Sequence, residues 1–418
     1  MTDKRPKILI VCGKTGGHLF PGIAVAQALK QRHDGADVRF VETGNRFEVE
    51  TIERFGFPHT TITALPVKGK SLIHLAAALA AIPLAMIQTL FLFFRFKPDF
   101  VLGTGAYTTF PVIATAALFR IPTGIQEQNS IPGLTNRILA GWAKVIFVSF
   151  RNTQILSENP KTIFTGNPVR SEPDLRDTRF SGFDNHRLTL LVCGGSQGAK
   201  NINTAFLEAM GLTGNTGRYN IIHQTGQLDE KRVLAEYSAM GMHNVIAGAF
   251  FTNLAAYQKA ADLIISRSGA GAISEITLAG KPSILVPYPY AANDHQTRNA
   301  QLLRNAAAAL VIPDGELTGS VLKTAIEHLD QNRETLDEMA AASGENASPH
   351  ADDKIARTIL TMIGGFKPGA LPPIAGGIDG NTGDVLTCMH PHLWEPDLMA
   401  VSPSQALCGQ SVPSGKRE

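Results

Sequence analysis

The amino-acid sequence predicts an α/β protein built of two Rossmann-like domains that face each other across a cleft. Three observations predict it. The run ILIVCGKTGGH at residues 8–18 returns in altered form as LLVCGGSQGAK at residues 190–200, with Cys12 matching Cys193 and Gly13 matching Gly194. Each copy reads as a buried-strand run, a glycine turn and a helical pattern, which is how a parallel α/β unit opens. A length of 418 residues leaves room for two or three domains with a large core.

Taken in order, the apolar runs of the first half predict strands at residues 7–12, 37–42, 59–65, 99–102, 124–127, 144–149 and 162–165. Those of the second half fall at residues 188–193, 219–224, 244–247, 262–266, 283–287 and 309–312. Helical patterns separate most of them, so both sheets should be largely parallel. The polar segment at residues 167–187 reads as a linker between a first domain at 1–166 and a second at 188–348. A C-terminal helix is expected at 349–364, and the Gly- and Pro-rich stretch at 365–418 reads as an irregular or disordered tail.

Composition excludes several classes. Lys plus Arg number 38 against 36 for Asp plus Glu, a net charge of +2 that offers no support for nucleic acid as a partner. The four cysteines, Cys12, Cys193, Cys388 and Cys408, lack paired CxxC spacing, so neither a disulfide framework nor a zinc cage is indicated; Cys388, His390 and His392 read as a chance cluster in the tail. The opening MTDKRPKILIV holds one short apolar run, too short for a signal-peptide core, which predicts a cytoplasmic chain.

The stretch SLIHLAAALAAIPLAMIQTLFLFF at residues 71–94 carries no formal charge and is flanked by Lys68, Lys70, Arg95 and Lys97. Its length would span a bilayer. Pro83, His74 and Gln88 interrupt it, and a span would separate strands that must share one sheet. The reading it favours is a helix docked on the domain, with an apolar, basic-flanked edge of about residues 68–97 presented to a membrane surface.

Parallel sheets place ligands beyond the carboxyl ends of their strands. CGKTGGHLFPG at residues 12–22 is not a P-loop, because Leu9 stands where the motif ahead of Lys14 needs glycine. Nor does it supply a G-x-G-x-x-G dinucleotide fingerprint, although Glu42 ends the next strand about where a ribose-binding acid would sit. A helix start after glycines still offers unpaired N–H groups to a phosphate, and GGSQGA at residues 194–199 offers the same in the second half. Glu275 is placed either to accept hydrogen bonds from a ribose diol or to satisfy the helix dipole. Arg170 either reaches a phosphate across the cleft or is an ordinary surface arginine, and His18 is either a base near neutral pH or a capping residue.

The ordered set GKTGGHLFPG, GTGAY, EQN, GNPVR, GGSQGA, SRSGAGAISEI and DHQTRNA, over residues 7–363, resembles the MurG family of bacterial cell-wall synthesis. The resemblance implies a type B glycosyltransferase fold, with an acceptor- and membrane-side first domain and a UDP-sugar-binding second domain. It implies inverting transfer of GlcNAc from UDP-GlcNAc to the muramyl C4 hydroxyl of undecaprenyl-pyrophosphoryl-MurNAc-pentapeptide (lipid I), at the cytoplasmic face of the inner membrane, without a metal or other cofactor. By the same likeness Thr15, Gly16, Gly17 and Asn129 line the sugar and acceptor side, while Arg170 and Ser196 hold the diphosphate. Phe251 meets uracil through its backbone. Ala270, Gly271, Ala272, Ile273, Ser274 and Glu275 hold the nucleotide, with Glu275 on the ribose, and Gln296 binds the GlcNAc hydroxyls. His18 is the candidate base. Lys14 departs from the family's glycine and could disturb the turn or add a charge. A UDP-GlcNAc 2-epimerase of the same architecture is the alternative.

Overall fold

The structure is a computed structural model that describes residues 5–66, 72–170, 183–195 and 198–364. Ser196, Lys68, Lys70, most of the expected linker and the whole expected tail, with Cys388 and Cys408, lie outside the described residues.

The first lobe opens with β1 (Lys7–Val11), α1 (Gly16–Arg32), β2 (Asp37–Glu42), α2 (Arg46–Arg54) and β3 (His59–Thr61). It continues through α3 (Leu72–Phe96), β4 (Phe100–Gly103), α4 (Thr109–Leu118), β5 (Thr123–Glu127), α5 (Leu134–Leu139), β6 (Val145–Val148) and β7 (Thr162–Phe164). The second lobe holds β8 (Thr189–Cys193), α6 (Lys200–Thr213), β9 (Asn220–Gln224), α7 (Glu230–Ala239), β10 (Val245–Gly248), α8 (Leu254–Ala260), β11 (Leu263–Ser266) and α9 (Ala270–Leu278). It closes with β12 (Ser283–Leu285), α10 (His295–Asn305), β13 (Ala309–Val311), α11 (Gly319–Gln331), α12 (Arg333–Glu345) and α13 (Ala351–Met362).

Every pairing is parallel, in the orders β3-β2-β1-β4-β5-β6-β7 and β10-β9-β8-β11-β12-β13. The matched strands β1 and β8 therefore lie inside their sheets, and their side chains are buried from both faces by helices. Each predicted strand is present. β3 stops at Thr61 instead of reaching Leu65, because its neighbour β2 ends at Glu42, opposite Thr61, and residues beyond have no ladder to join.

α3 runs unbroken through Pro83. The missing N–H leaves the carbonyl of Leu79 without its helical donor, a loss that water can make good because Leu79 is exposed. Leu92, Phe93 and Phe96 on this helix enter the core beneath the sheet. At the other end of the chain α13 returns to the first lobe. Its Ile355, Ile359 and Leu360 join the core formed by β1 and α1, and Asp353 pairs with Arg32 of α1. Gly166, at φ 87°, sits against Ser348, so the outgoing and returning crossovers touch where a side chain on Gly166 would collide.

Candidate active site

The first lobe builds its site around His18. β1 delivers the chain to Cys12, whose carbonyl accepts a 2.8 Å hydrogen bond from Thr108 Oγ1. Gly13 packs where a Cβ would strike Ala106, and Gly105 (φ 98°) where one would lie 3.0 Å from the His18 ring. The glycines thus clear space for an imidazole in the first turn of α1. His18 Nδ1 lies 2.9 Å from the Thr104 carbonyl oxygen and 3.1 Å from Gln128 Oε1. Both partners accept, so Nδ1 carries the hydrogen and Nε2 keeps its lone pair. Thr104 is itself fixed, its Oγ1 donating to the carbonyls of His18 at 2.7 Å and Val11 at 3.1 Å.

Thr15 precedes α1 in extended conformation, with no side-chain cap and no acid in the first turn, so no capping side chain occupies the N–H groups at this helix start. Lys14 is exposed and 6.0 Å from the Tyr107 ring, and it is not among the residues at positive φ. The loop accommodates this departure without backbone strain.

The loop after β5 is organised by Glu127. Its buried carboxylate accepts from the N–H groups of Asn129 and Gly133, both at 3.0 Å, and from Asn136 Nδ2 at 2.9 Å. Asn129 is held between Glu127 and Asn299, whose Nδ2 donates to Asn129 Oδ1 at 3.3 Å. Glu42, the position a dinucleotide enzyme would use for ribose, is spent internally: its buried carboxylate accepts from Thr61 Oγ1 at 2.6 Å and from the Gly44 N–H.

In the second lobe the glycines make room for backbone. A Cβ on Gly194 would collide with the Ala199 N–H group, and one on Gly198 (φ 77°) with the Thr225 carbonyl. α6 then starts without a side-chain cap or a first-turn acid, and so does α9. Along α9 the candidate residues divide. Ala270 and Ile273 are buried, Ile273 within the lobe core, whereas Gly271, Ala272, Ser274 and Glu275 are partly exposed. Glu275 accepts from Gln258 Nε2 at 3.3 Å. Phe251 stacks on Tyr257 at 4.4 Å, and its N–H donates to Gln224 Oε1 at 3.0 Å. Gln296 Oε1 accepts from the Tyr288 N–H at 3.0 Å, turning its amide nitrogen to other partners.

Arg170, following β7, joins the lobes. Its guanidinium lies 4.5 Å over the Phe20 ring of α1, and it lines a cavity of about 310 Å³ together with Gln258 and Glu275.

The glycosyltransferase family 28 N-terminal domain matches residues 8–148, and the C-terminal domain of that family matches residues 189–355. The UDP-N-acetylglucosamine–N-acetylmuramyl-(pentapeptide) pyrophosphoryl-undecaprenol N-acetylglucosamine transferase of Desulfotalea psychrophila is 40% identical over 86% of this chain and 98% of its own. The chain belongs to glycosyltransferase family 28. Among solved structures, Acinetobacter baumannii MurG superposes with a TM-score of 0.69 at 30% identity, over 85% of this chain and 100% of that one. A Neisseria meningitidis UDP-GlcNAc 2-epimerase superposes with a TM-score of 0.59 at 17% identity, over 85% of this chain and 100% of its own, a likeness of fold alone. The two Rossmann-like domains of this family 28 member form the type B glycosyltransferase fold.

Sequence reasoning missed the residues that orient the site. Thr104 and Gln128 hold His18 from 86 and 110 residues away, and Gln224 fixes Phe251. Arg267 supports the strand end leading to Gln296, bonding the carbonyls of Val286 and Pro287 at 3.1 and 3.2 Å while paired with Asp314 at 2.5 Å. Thr104, Gln128 and Arg267 carry one signal, position directly after a strand, which GTGAY and EQN shared, while Gln224 is the last residue of β9.

Proposed function

We propose that this chain transfers GlcNAc from UDP-GlcNAc to the C4 hydroxyl of the muramyl sugar in lipid I, with inversion, giving lipid II. The observation that carries the reading is the cavity shared by Arg170 and Glu275. A residue leaving the first lobe and a carboxylate of the second line one cavity, and that shared lining supports a nucleotide diphosphate held there with its sugar toward the cleft. His18 Nε2 accepts the proton of the acceptor hydroxyl as its oxygen attacks the anomeric carbon. The sugar–phosphate bond breaks, and the charge that develops on UDP is met by Arg170 and by the open helix starts of α6 and α9. Gln296 holds the GlcNAc, Glu275 the ribose and the Phe251 carbonyl the uracil. Thr15, Gly16, Gly17 and Asn129 form the acceptor side, and Ser196 belongs to the diphosphate loop.

The acceptor is a lipid, and the first lobe presents a fitting face. α3 exposes Leu84, Ile87, Phe91 and Phe94, α4 ends in exposed Leu118 and Phe119, and Arg95 and Lys97 border them. A single-sided apolar face rimmed by cations suits peripheral contact with the cytoplasmic leaflet. α3 is long and apolar enough to cross a bilayer, yet it connects β3 to β4 of one sheet and buries Phe93 and Phe96 within it.

Incubation with UDP-GlcNAc and a lipid I analogue in EDTA, followed by product analysis, tests the reading. A β-linked disaccharide product with UDP release is expected. Conversion of UDP-GlcNAc to its 2-epimer without acceptor would overturn it, and turnover that depends on an added divalent ion would remove the metal-free step.

A further inference from the structure

Asn299 lies on α10, in the second lobe, and is completely buried. Its Oδ1 accepts from the N–H and the Oγ of Ser130, at 3.1 and 2.9 Å, and its Nδ2 donates to Asn129 Oδ1 at 3.3 Å. These partners follow β5 of the first lobe. The same Nδ2 lies 3.4 Å from the carbonyl of Ser268, whose Oγ donates to the carbonyl of Gln296 at 2.8 Å. One side chain thus saturates both ends of its amide between the lobes.

The position of this contact gives it a consequence. Gln128, adjacent to Asn129, holds the imidazole of His18. Gln296 lies three residues before Asn299 on α10, and therefore on the same helical face. An unbroken series of contacts runs from the base, through Gln128 and the Ser130 loop, to Asn299 and one turn along α10 to the donor-sugar residue. We infer that Asn299 is a positioning residue that pins the base-bearing loop of the first lobe to the donor-bearing helix of the second, setting the distance between His18 and the anomeric carbon. The inference rests on the transferase reading above. The residues assigned to UDP itself lie in the second lobe and at Arg170, so loss of the pin spares UDP affinity and costs rate.

Three variants of the full chain, Asn299→Ala, Asn299→Asp and Ser130→Ala, test this. Asn299→Ala should lower kcat roughly 10- to 100-fold, the scale on which misplacement by about 1 Å acts, while the UDP dissociation constant stays within about twofold of wild type. Asn299→Asp keeps an acceptor for Ser130 and should recover part of that loss. Ser130→Ala should cost less than Asn299→Ala, and their combination no more than Asn299→Ala alone. Deuterium uptake at the Ser130 amide should rise in Asn299→Ala, a readout independent of activity. An unchanged kcat in folded Asn299→Ala, or UDP affinity falling in step with kcat, overturns the pin. Failure of the wild-type chain to make any disaccharide overturns the transferase reading instead; unchanged Ser130 exchange in Asn299→Ala would still reject the pin.

Discussion

The two lobes open alike, yet their first loops spend their glycines differently. Gly13, after β1, vacates space that Ala106 and the His18 ring occupy, and Gly105, after β4, clears the other side of that ring. After β8, Gly194 and Gly198 vacate space that main chain occupies, at Ala199 and Thr225. The first loop therefore presents a side chain able to move a proton, and the second presents oriented N–H dipoles. Their histidines differ in the same sense. His18 stands partly exposed at the head of α1, whereas His223 of β9 is buried, bonded to Tyr237 Oη at 2.7 Å and to Asn203 Oδ1 at 3.0 Å. A duplicated strand–turn–helix thus fixes where chemistry can occur but leaves its kind to a few positions in the loop.

Removing the side chain that separates the two loops should have the largest effect. His18→Ala is expected to lower kcat about 10²- to 10⁴-fold, the usual contribution of a general base, with UDP affinity from calorimetry unchanged; a matching loss of UDP binding would erase the distinction. Glu275→Ala probes the other lobe. Loss of a hydrogen bond to a charged group, worth about 1.5–3 kcal/mol, should weaken UDP binding roughly 10- to 100-fold, and unchanged affinity would remove its ribose role.

Gly198→Ala asks whether the second loop needs its backbone path. Positive φ alone costs about 1–2 kcal/mol, so donor affinity should fall roughly tenfold while the acceptor KM holds; equal changes in both would mean the loops are not specialised. The smallest effect concerns acid stability. Burial pushes the His223 imidazole down to about 3, against about 6.5 in an unfolded chain. The unfolded state takes up this proton first, so stability falls with pH from about 6.5 toward 3, by about 2 kcal/mol at pH 5. His223→Gln should flatten that dependence in denaturant titrations followed at peptides of the second lobe, and an unaltered slope would show that other groups govern it.

Buried parallel strands are legible in sequence because a strand covered on both faces is a continuous apolar run, and glycines mark its end. That is why all the expected strands appeared, and why the loops after β1, β4, β5, β8, β11 and β12 could be singled out. β3 was overestimated because its length depends on where β2 stops, a property of the neighbour. The docking of α13 onto α1 was illegible for a related reason. Its apolar face, with Ile355, Ile359 and Leu360, declares that something must cover it, but not which lobe.

The sequence by itself determined the strand and helix order, the doubled Rossmann pattern and the glycine-bounded loops, since each follows from local periodicity and backbone freedom. Tertiary structure alone decided that Glu42 turns inward, that Thr104 and Gln128 select the proton-bearing nitrogen of His18, that Gln224 occupies the Phe251 N–H, and that Arg170 lines one cavity with Glu275. Hydrogen bonds and cavities are made between atoms distant in the chain. Their partners are chosen by the packing of whole helices and sheets, so no pattern within one segment records them.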